Sequence, residues 1–286
     1  MMSTSLGANS PAIPREIRIT HSGDATIYPE VFYDAPQSLQ DYITKELKQC
    51  GVATPVKVLI FKSIKQTHDL NIVAIYTLND SEPMHYMWLA SYGARELQQY
   101  IAPHEQFPQR ILVDDDVINS HTDERLIAEQ NERIMKHLVD IRHEAGHVYY
   151  NDSKAATLLP HYLKRRLLLD LLAGGTLFDN NRSQRLTALF SAEGRNALYS
   201  LHRQHWERRA DDFAIAHTNN SQELLASAQW FKAQHDELQK TFSNLQVSEW
   251  CLRVNHIPPG PRYLKFKAAA ERLQAKQAQE AQSARP

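Results

Sequence analysis

The sequence lacks the features that mark a secreted or nucleic-acid-binding protein. Its 286 residues include only two cysteines, Cys50 and Cys251, which form no C-x-x-C pair. We therefore expect free thiols in a reducing compartment. The 32 lysines and arginines are balanced by 33 aspartates and glutamates. Because there is no basic excess, the composition does not indicate a nucleic-acid partner.

Long apolar runs are missing as well. The most apolar stretch, residues 167–178, is about half of the ~20 residues that span a bilayer, and Asp170 interrupts it. The N-terminus has no basic segment followed by an apolar run, as a secretory signal peptide would. We expect a soluble, cytoplasmic protein without a transmembrane segment. Peripheral membrane contact through residues 158–172, injection into a host cell and the oligomeric state stay open.

The order of the periodic patterns predicts an α+β fold. Between residues 38 and 50 the apolar residues recur at helical spacing, and Gly51 follows as a C-terminal cap. The strand candidates that follow are residues 56–61, 70–77, 85–92 and 110–113. Beyond Asp116 the pattern is helical almost to the end of the chain. A small, mainly antiparallel sheet is thus predicted to precede a helical half.

The same patterns predict a single folded domain. It would cover residues 15–270, because we find no repeat of fixed period and no long linker rich in proline, glycine or serine. Residues 1–14 are expected to form a flexible N-terminal tail. Residues 271–286, rich in alanine and glutamine, are expected to form the end of a helix and a second flexible tail.

A helix predicted for residues 134–150 carries the clearest chemical signal. His143 and His147 lie one turn apart, opposite an apolar stripe. With Glu144 they spell H-E-x-x-H, in which two histidines bind zinc and the glutamate takes a proton from water. Gly146 costs about 1 kcal/mol relative to alanine in a helix, so we expect a close neighbour there. The stripe consists of Ile134, Leu138, Ile141, Ala145 and Val148.

The third metal ligand has to come from elsewhere in the chain. A metzincin would have glycine and histidine where this sequence has Tyr150 and Ser153. A second helix, predicted for residues 196–217, has four residues on one face: Glu207, Ala210, Asp211 and Ala214. The two alanines would let this helix approach the first. Glu207 could then reach the metal, and Asp211 could accept the free ring N–H of a ligand histidine.

These two motifs resemble those of the HtpX-like and CAAX prenyl endopeptidase family of gluzincin zinc metallopeptidases. That family pairs H-E-x-x-H-V with a downstream E-x-x-A-D, and residues 143–148 and 207–211 match both patterns. The resemblance implies a zincin-like fold, one Zn²⁺ per chain and zinc-dependent endopeptidase activity on protein or peptide substrates. It also implies that an edge strand with Asn71, Val73 and Ile75 pairs with an extended substrate.

The sequence departs from the family in two places. Many members carry transmembrane helices near or between the motifs, and this sequence shows no spanning segment. Members also end in a His-Pro segment followed by arginine, whereas here Ile257 separates His256 from the proline before Arg262. The match implies a catalytic role for His256 in stabilising the transition state. His217 and Tyr149 are alternative donors to the oxyanion.

Other functions compete with peptidase activity. The runner-up is a non-catalytic or host-directed effector or binding protein that keeps zinc on a zincin scaffold. A structural zinc site normally has four protein ligands rich in cysteine, whereas three N/O ligands leave a position open for water. An aminopeptidase would need a G-x-M-E-N-like segment, which is missing. His202 and His205, on the second helix, are rivals of Glu207 for the ligand role.

Overall fold

The computed structural model describes residues 15–16, 31–61, 73–77, 84–108, 111, 124–152, 155, 192–243 and 257–284. These residues form five strands and six helices. The strands are β1 (Arg15–Glu16), β2 (Val31–Asp34), β3 (Val56–Phe61), β4 (Val73–Thr77) and β5 (Met84–Ala90). The helices are α1 (Gln37–Gln49), α2 (Ser91–Ile101), α3 (Glu124–Tyr149), α4 (Ala192–Ala216), α5 (Ser221–Thr241) and α6 (Pro259–Ser283).

The strands form one sheet in the order β1-β2-β3-β5-β4. Strands β3 and β5 are parallel, and the other three neighbouring pairs are antiparallel. Helices α3 to α6 follow the sheet in the chain, which confirms the α+β class and the small, mainly antiparallel sheet. Among the described strands, β4 lies at one edge, and it also contacts α3.

Helix α1 begins and ends close to where the sequence predicted. Gly51 adopts a positive φ of 79° directly after the helix. Its N–H donates to the carbonyl of Lys48, and the N–H of Val52 donates to the carbonyl of Leu47. This pair of bonds is a Schellman cap, and glycine adopts the left-handed conformation that the cap requires without steric cost. The predicted cap at Gly51 is therefore confirmed.

The prediction was wrong where strand β5 ends. The predicted strand over residues 85–92 stops at Ala90, and Ser91 and Tyr92 belong to α2. Helix α2 follows β5 directly, and its N-cap position is Ala90, which makes no side-chain capping hydrogen bond, so the sequence gives no start signal for this helix. Strand β2 was missed as well. Of residues 110–113 only Ile111 is described, and it lies in a short 3₁₀ turn, not in a strand.

The core lies on both sides of α3. All five residues of the predicted apolar stripe are buried, and Ile141, Ala145 and Val148 pack with residues of β3, β5, α1 and α2. Val139 faces another direction and packs against α4, α5 and α6 in a second cluster that includes Phe231 and Phe266. Helix α3 is therefore packed on two sides. This packing fixes the orientation of the face that carries His143 and His147.

Arg142 of α3 links this helix to α1 and α5. Its guanidinium forms an ion pair with Glu46 of α1 at 3.2 Å and another with Glu223 of α5, and it donates to Thr218 Oγ1 at 3.2 Å. The side chains of Arg142, Glu46 and Glu223 are only 11–12% exposed. The three side chains therefore form an almost fully buried group with a net negative charge.

We predict that Arg142→Met destabilises the metal-free protein by about 3–5 kcal/mol, because it leaves two buried carboxylates without their cation. Urea denaturation measures the loss. The matched control is Arg208→Met, since Arg208 is exposed on α4 and its removal should change the midpoint little. Equal midpoints for the two variants would contradict the stabilising role of Arg142.

The C-terminal helix is longer than predicted. Residues 271–283, expected to include a flexible tail, continue α6 as far as Ser283. Their side chains are mostly exposed, and Lys276 lies 3.8 Å from Glu280 one turn away. Residues 1–14 lie outside the described part of the chain, and the single domain stays a prediction. Among the described helices, none has the length and apolar character needed to cross a bilayer.

Candidate metal centre

Helix α3 places two histidines and a glutamate side by side. One ligand atom from each of His143, Glu144 and His147 lies within 4.8 Å of those of the other two. The Nε2 atoms of His143 and His147 are 3.2 Å apart, because residues four positions apart lie above one another on a helix. This group could hold a metal ion.

Helix α4 brings Glu207 to the same point. Its Oε2 lies 3.3 Å from His143 Nε2, and its Oε1 lies 3.7 Å from His147 Nε2. Three ligands at ~2.1 Å from a common centre and at tetrahedral angles are about 3.4 Å apart. The observed separations are close to this value: the two Nε2 atoms are 3.2 Å apart, and each lies 3.3 or 3.7 Å from a different oxygen of the Glu207 carboxylate. The donor set of two imidazoles and one carboxylate suits zinc.

A close crossing of α3 and α4 lets Glu207 reach the two histidines. A Cβ atom added to Gly146 would lie 3.0 Å from Phe213 Cβ and 3.1 Å from Ala210 Cα. Ala210 and Ala214 are fully buried. The structure thus confirms both expectations from the sequence, namely a close neighbour at Gly146 and two alanines that let the helices approach.

We predict that Gly146→Ala lowers the free energy of unfolding by up to about 2 kcal/mol. The overpacking cost of about 1–3 kcal/mol exceeds the gain of about 1 kcal/mol in helix propensity, because the neighbours include backbone of α4. The variant should also bind metal more weakly, since α4 must shift away from α3. Asn131→Ala, at an exposed position of α3, is the control. It should not destabilise the protein, and an equally stable Gly146→Ala variant would contradict the prediction.

Asp211 supports the first histidine from behind. Its Oδ1 lies 2.9 Å from His143 Nδ1, and the carboxylate also accepts from Arg262 of α6, with Nε to Oδ2 at 3.0 Å. The guanidinium of Arg262 stacks on the ring of Phe231 at 4.1 Å. The structure therefore places Asp211 where the sequence predicted, with its carboxylate beside the ring nitrogen that faces away from the metal centre.

A second carboxylate, missed by the sequence analysis, contacts the other histidine. Asp152 Oδ2 lies 3.2 Å from His147 Nδ1, and Asp152 is paired with Arg209 of α4. The signal in the sequence was weak, because Asp152 follows the end of the helix and helical periodicity cannot place it. Arg209 occupies an unspecified position inside the E-x-x-A-D motif of residues 207–211, and the motif assigns it no role.

Burial and ion pairs shift the proton affinities of these groups in opposite directions. Burial lowers the pKa of His143, but the contacts with Asp211 and Glu207 outweigh it and raise the pKa to about 10. Burial raises the pKa of Glu207, but His143 and His147 hold it below its ordinary value. Burial acts on Asp211 in the same way, and Arg262 and His143 keep its pKa low. The site therefore favours added positive charge beside the histidines.

Several candidates of the sequence analysis lie elsewhere. His256 and Asn71 are outside the described residues, whereas Val73 and Ile75 belong to β4 at the sheet edge.

His217 donates from Nδ1 to the carbonyl of Phe213 at 2.8 Å and stacks on its ring. Together with Tyr149, it lines an open groove of about 410 Å³ next to the C-terminal end of α1. The rivals His202 and His205 are exposed on α4.

Comparisons with known proteins supply no relative for this chain. No protein-family model matches it, and neither a curated protein nor a solved structure does. The resemblance to gluzincin peptidases therefore rests on the two motifs alone. The chemistry of the site must therefore be inferred from its own side chains. His143, Glu144 and His147 form a group that could hold a metal ion, and Glu207 contacts both histidines.

Proposed function

We propose that the protein is a zinc-dependent endopeptidase with a zincin-like fold, in which His143, His147 and Glu207 hold one Zn²⁺. One observation carries the proposal. The Nδ1 atoms of both histidines face aspartates, so both Nε2 atoms can offer lone pairs to a metal ion once His143 has lost its proton, and they lie 3.2 Å apart beside the carboxylate of Glu207. In the metal-free protein a proton on His143 supplies positive charge at this point, and a bound metal ion would replace it.

The charges around the site support a divalent cation. Arg262 balances Asp211, and Arg209 balances Asp152. Glu207 adds a further carboxylate next to two imidazoles that are neutral when they bind metal. Buried charge of one sign is costly unless an opposite charge compensates it. Zinc would supply that charge and would fit a site with three protein ligands and one open position.

The residues of the chain have distinct roles in the proposed reaction. When bound, zinc polarises a substrate carbonyl and lowers the pKa of its water toward ~7. Glu144 lies on the flank of the same helix face, where its carboxylate can take a proton from that water and pass it to the leaving amine. Asp211 keeps the ring of His143 oriented, and the carboxylate of Glu207 would supply the third ligand.

Strand β4 supports the assignment of an extended peptide as substrate. It is an edge of the described sheet, it pairs antiparallel with β5 through Val73 to Trp88 and Ile75 to Tyr86, and it contacts α3. An edge strand presents unpaired backbone N–H and C=O groups to an added strand. A peptide that pairs with β4 would pass beside the helix that carries His143 and His147.

Cleavage-site mapping tests the proposal directly. Zinc-loaded protein is incubated with an unfolded proteome, and new peptide N-termini are compared with those produced by Glu144→Gln under the same conditions. We expect internal cleavage sites that depend on zinc and on Glu144. If the wild type binds zinc and yet produces no new termini, the peptidase proposal is wrong. The protein is then better described as a non-catalytic zinc-binding protein.

A further inference from the structure

A left-handed turn after α3 directs Asp152 back towards the metal ligands. The helix ends at Tyr149, and Asn151 adopts a φ of 58°, the only positive φ of a described non-glycine residue. Asparagine tolerates this conformation better than most residues. Directly after this turn, Asp152, which is 3% exposed, has its carboxylate beside Nδ1 of His147. Backbone conformation thus places a carboxylate that helical spacing alone could not.

Arg209 holds this carboxylate in place. The guanidinium pairs with Asp152 Oδ1 and lies over the Tyr150 ring, with 4.1 Å between Cζ and the ring centroid. Tyr150 in turn packs edge-on against Phe213 at 5.9 Å. Because Arg209 projects from α4 and Asp152 follows α3, this contact joins the two elements that supply the proposed metal ligands.

We propose that Asp152, clamped by Arg209, is a positioning residue that orients His147 for metal binding; this inference rests on the proposed zinc site. A carboxylate that accepts the Nδ1–H of a histidine fixes the orientation of the ring and the tautomer in which Nε2 carries the lone pair. Asp152 Oδ2 has the required position, 3.2 Å from Nδ1.

The same arrangement occurs at the other histidine, which argues against a chance contact. His143 has Asp211, Arg262 and Phe231 behind it, and His147 has Asp152, Arg209 and Tyr150. Each series consists of a carboxylate, a guanidinium and an aromatic ring. The two differ in exposure, because the side chain of Arg262 is 15% exposed and that of Arg209 is 34% exposed. The orientation of His147 is therefore set close to the surface.

A purely structural role for Asp152 makes a different prediction. The ion pair with Arg209 would then only attach the end of α3 to α4, and its loss would lower the stability of the metal-free protein. The metal affinity per folded molecule and the geometry of the bound metal would not change. The zinc affinity and the geometry of the bound metal therefore distinguish a residue that orients His147 from one that only attaches α3 to α4.

The experiment compares Asp152→Ala and Asp152→Asn with wild type and with Asp212→Asn. Asp212 is the matched control, because it neighbours Asp211 on α4 but its side chain is 71% exposed and pairs with Lys265. Zinc affinity is measured by competition with a chromophoric chelator, and the cobalt-substituted proteins are compared by their visible absorption spectra. Chemical denaturation of the metal-free proteins gives the stability of each variant.

We expect zinc affinity to fall about 10- to 100-fold in Asp152→Ala, with a shifted cobalt spectrum, and to be unchanged in Asp212→Asn. Asp152→Asn should lose less, because its amide oxygen can still accept the Nδ1–H. It also provides the measurement if Asp152→Ala does not fold. Wild-type affinity and spectrum in the folded Asp152 variants would overturn the inference alone. Failure of the wild type to bind zinc would overturn both the inference and the proposed function.

Discussion

Glu144→Gln should bind zinc like the wild type and should cleave peptides about 10²–10⁴-fold more slowly, the usual contribution of a general base. Glutamine has the shape of glutamate but cannot accept a proton at neutral pH. Glu144 lies next to His143 on α3, and the proposed ligand set does not include it. The loss should therefore appear in the rate of the chemical step, measured with a quenched fluorescent peptide that mapping has identified as a substrate.

The control for this variant is Glu132→Gln, an exposed position of the same helix, which should keep both zinc and activity. Zinc content is measured on the same samples by atomic emission. Wild-type cleavage by a zinc-loaded Glu144→Gln protein would show that another group takes the proton. If Glu144→Gln instead loses zinc together with activity, then Glu144 is a ligand and the assignment of roles within the motif is wrong.

Glu207→Gln should weaken zinc binding by more than the roughly 10- to 100-fold expected for the loss of a residue behind a ligand. The substitution preserves the volume of a buried side chain between the two helices but removes the negative charge that faces His143 and His147 at 3.3 and 3.7 Å. Zinc should then no longer protect the fold. Wild-type protein at a free zinc concentration of 100 times Kd should gain about 2.7 kcal/mol.

Thermal unfolding with and without zinc measures this difference. The melting temperature of the wild type should rise on addition of zinc, whereas that of Glu207→Gln should stay near its metal-free value. Glu132→Gln again serves as the control and should respond as the wild type does. An unchanged zinc affinity in Glu207→Gln would mean that Glu207 is not a ligand, and His202 or His205 of the same helix would then have to be tested in its place.

The sequence was most informative where periodicity is local. The apolar stripe from Ile134 to Val148 is buried as predicted, since residues that share a helix face lie at fixed spacing. The same rule placed His143 beside His147 and Glu207 beside Asp211 on their own helices. That the two faces meet was inferred from Ala210 and Ala214, whose small side chains permit the close crossing at Gly146.

The features that the sequence did not predict have other physical causes. Asp152 reaches His147 through a left-handed turn at Asn151, and a single asparagine in a sequence is not enough to predict such a turn. Arg262 reaches Asp211 from a helix far along the chain, so only the tertiary fold brings the ion pair together. Helix α2 follows β5 directly, with Ala90 at its N-cap, so neither a turn residue nor a capping side chain marks its start in the sequence.

The central claim is that one zinc ion lies between His143 Nε2, His147 Nε2 and the carboxylate of Glu207, with a fourth position open to water. Anomalous diffraction at the zinc edge from crystals of the zinc-loaded protein tests this most directly. The account predicts one strong peak per chain in contact with these three side chains and a water. A peak at another position, or a fourth protein ligand in place of the water, would contradict it.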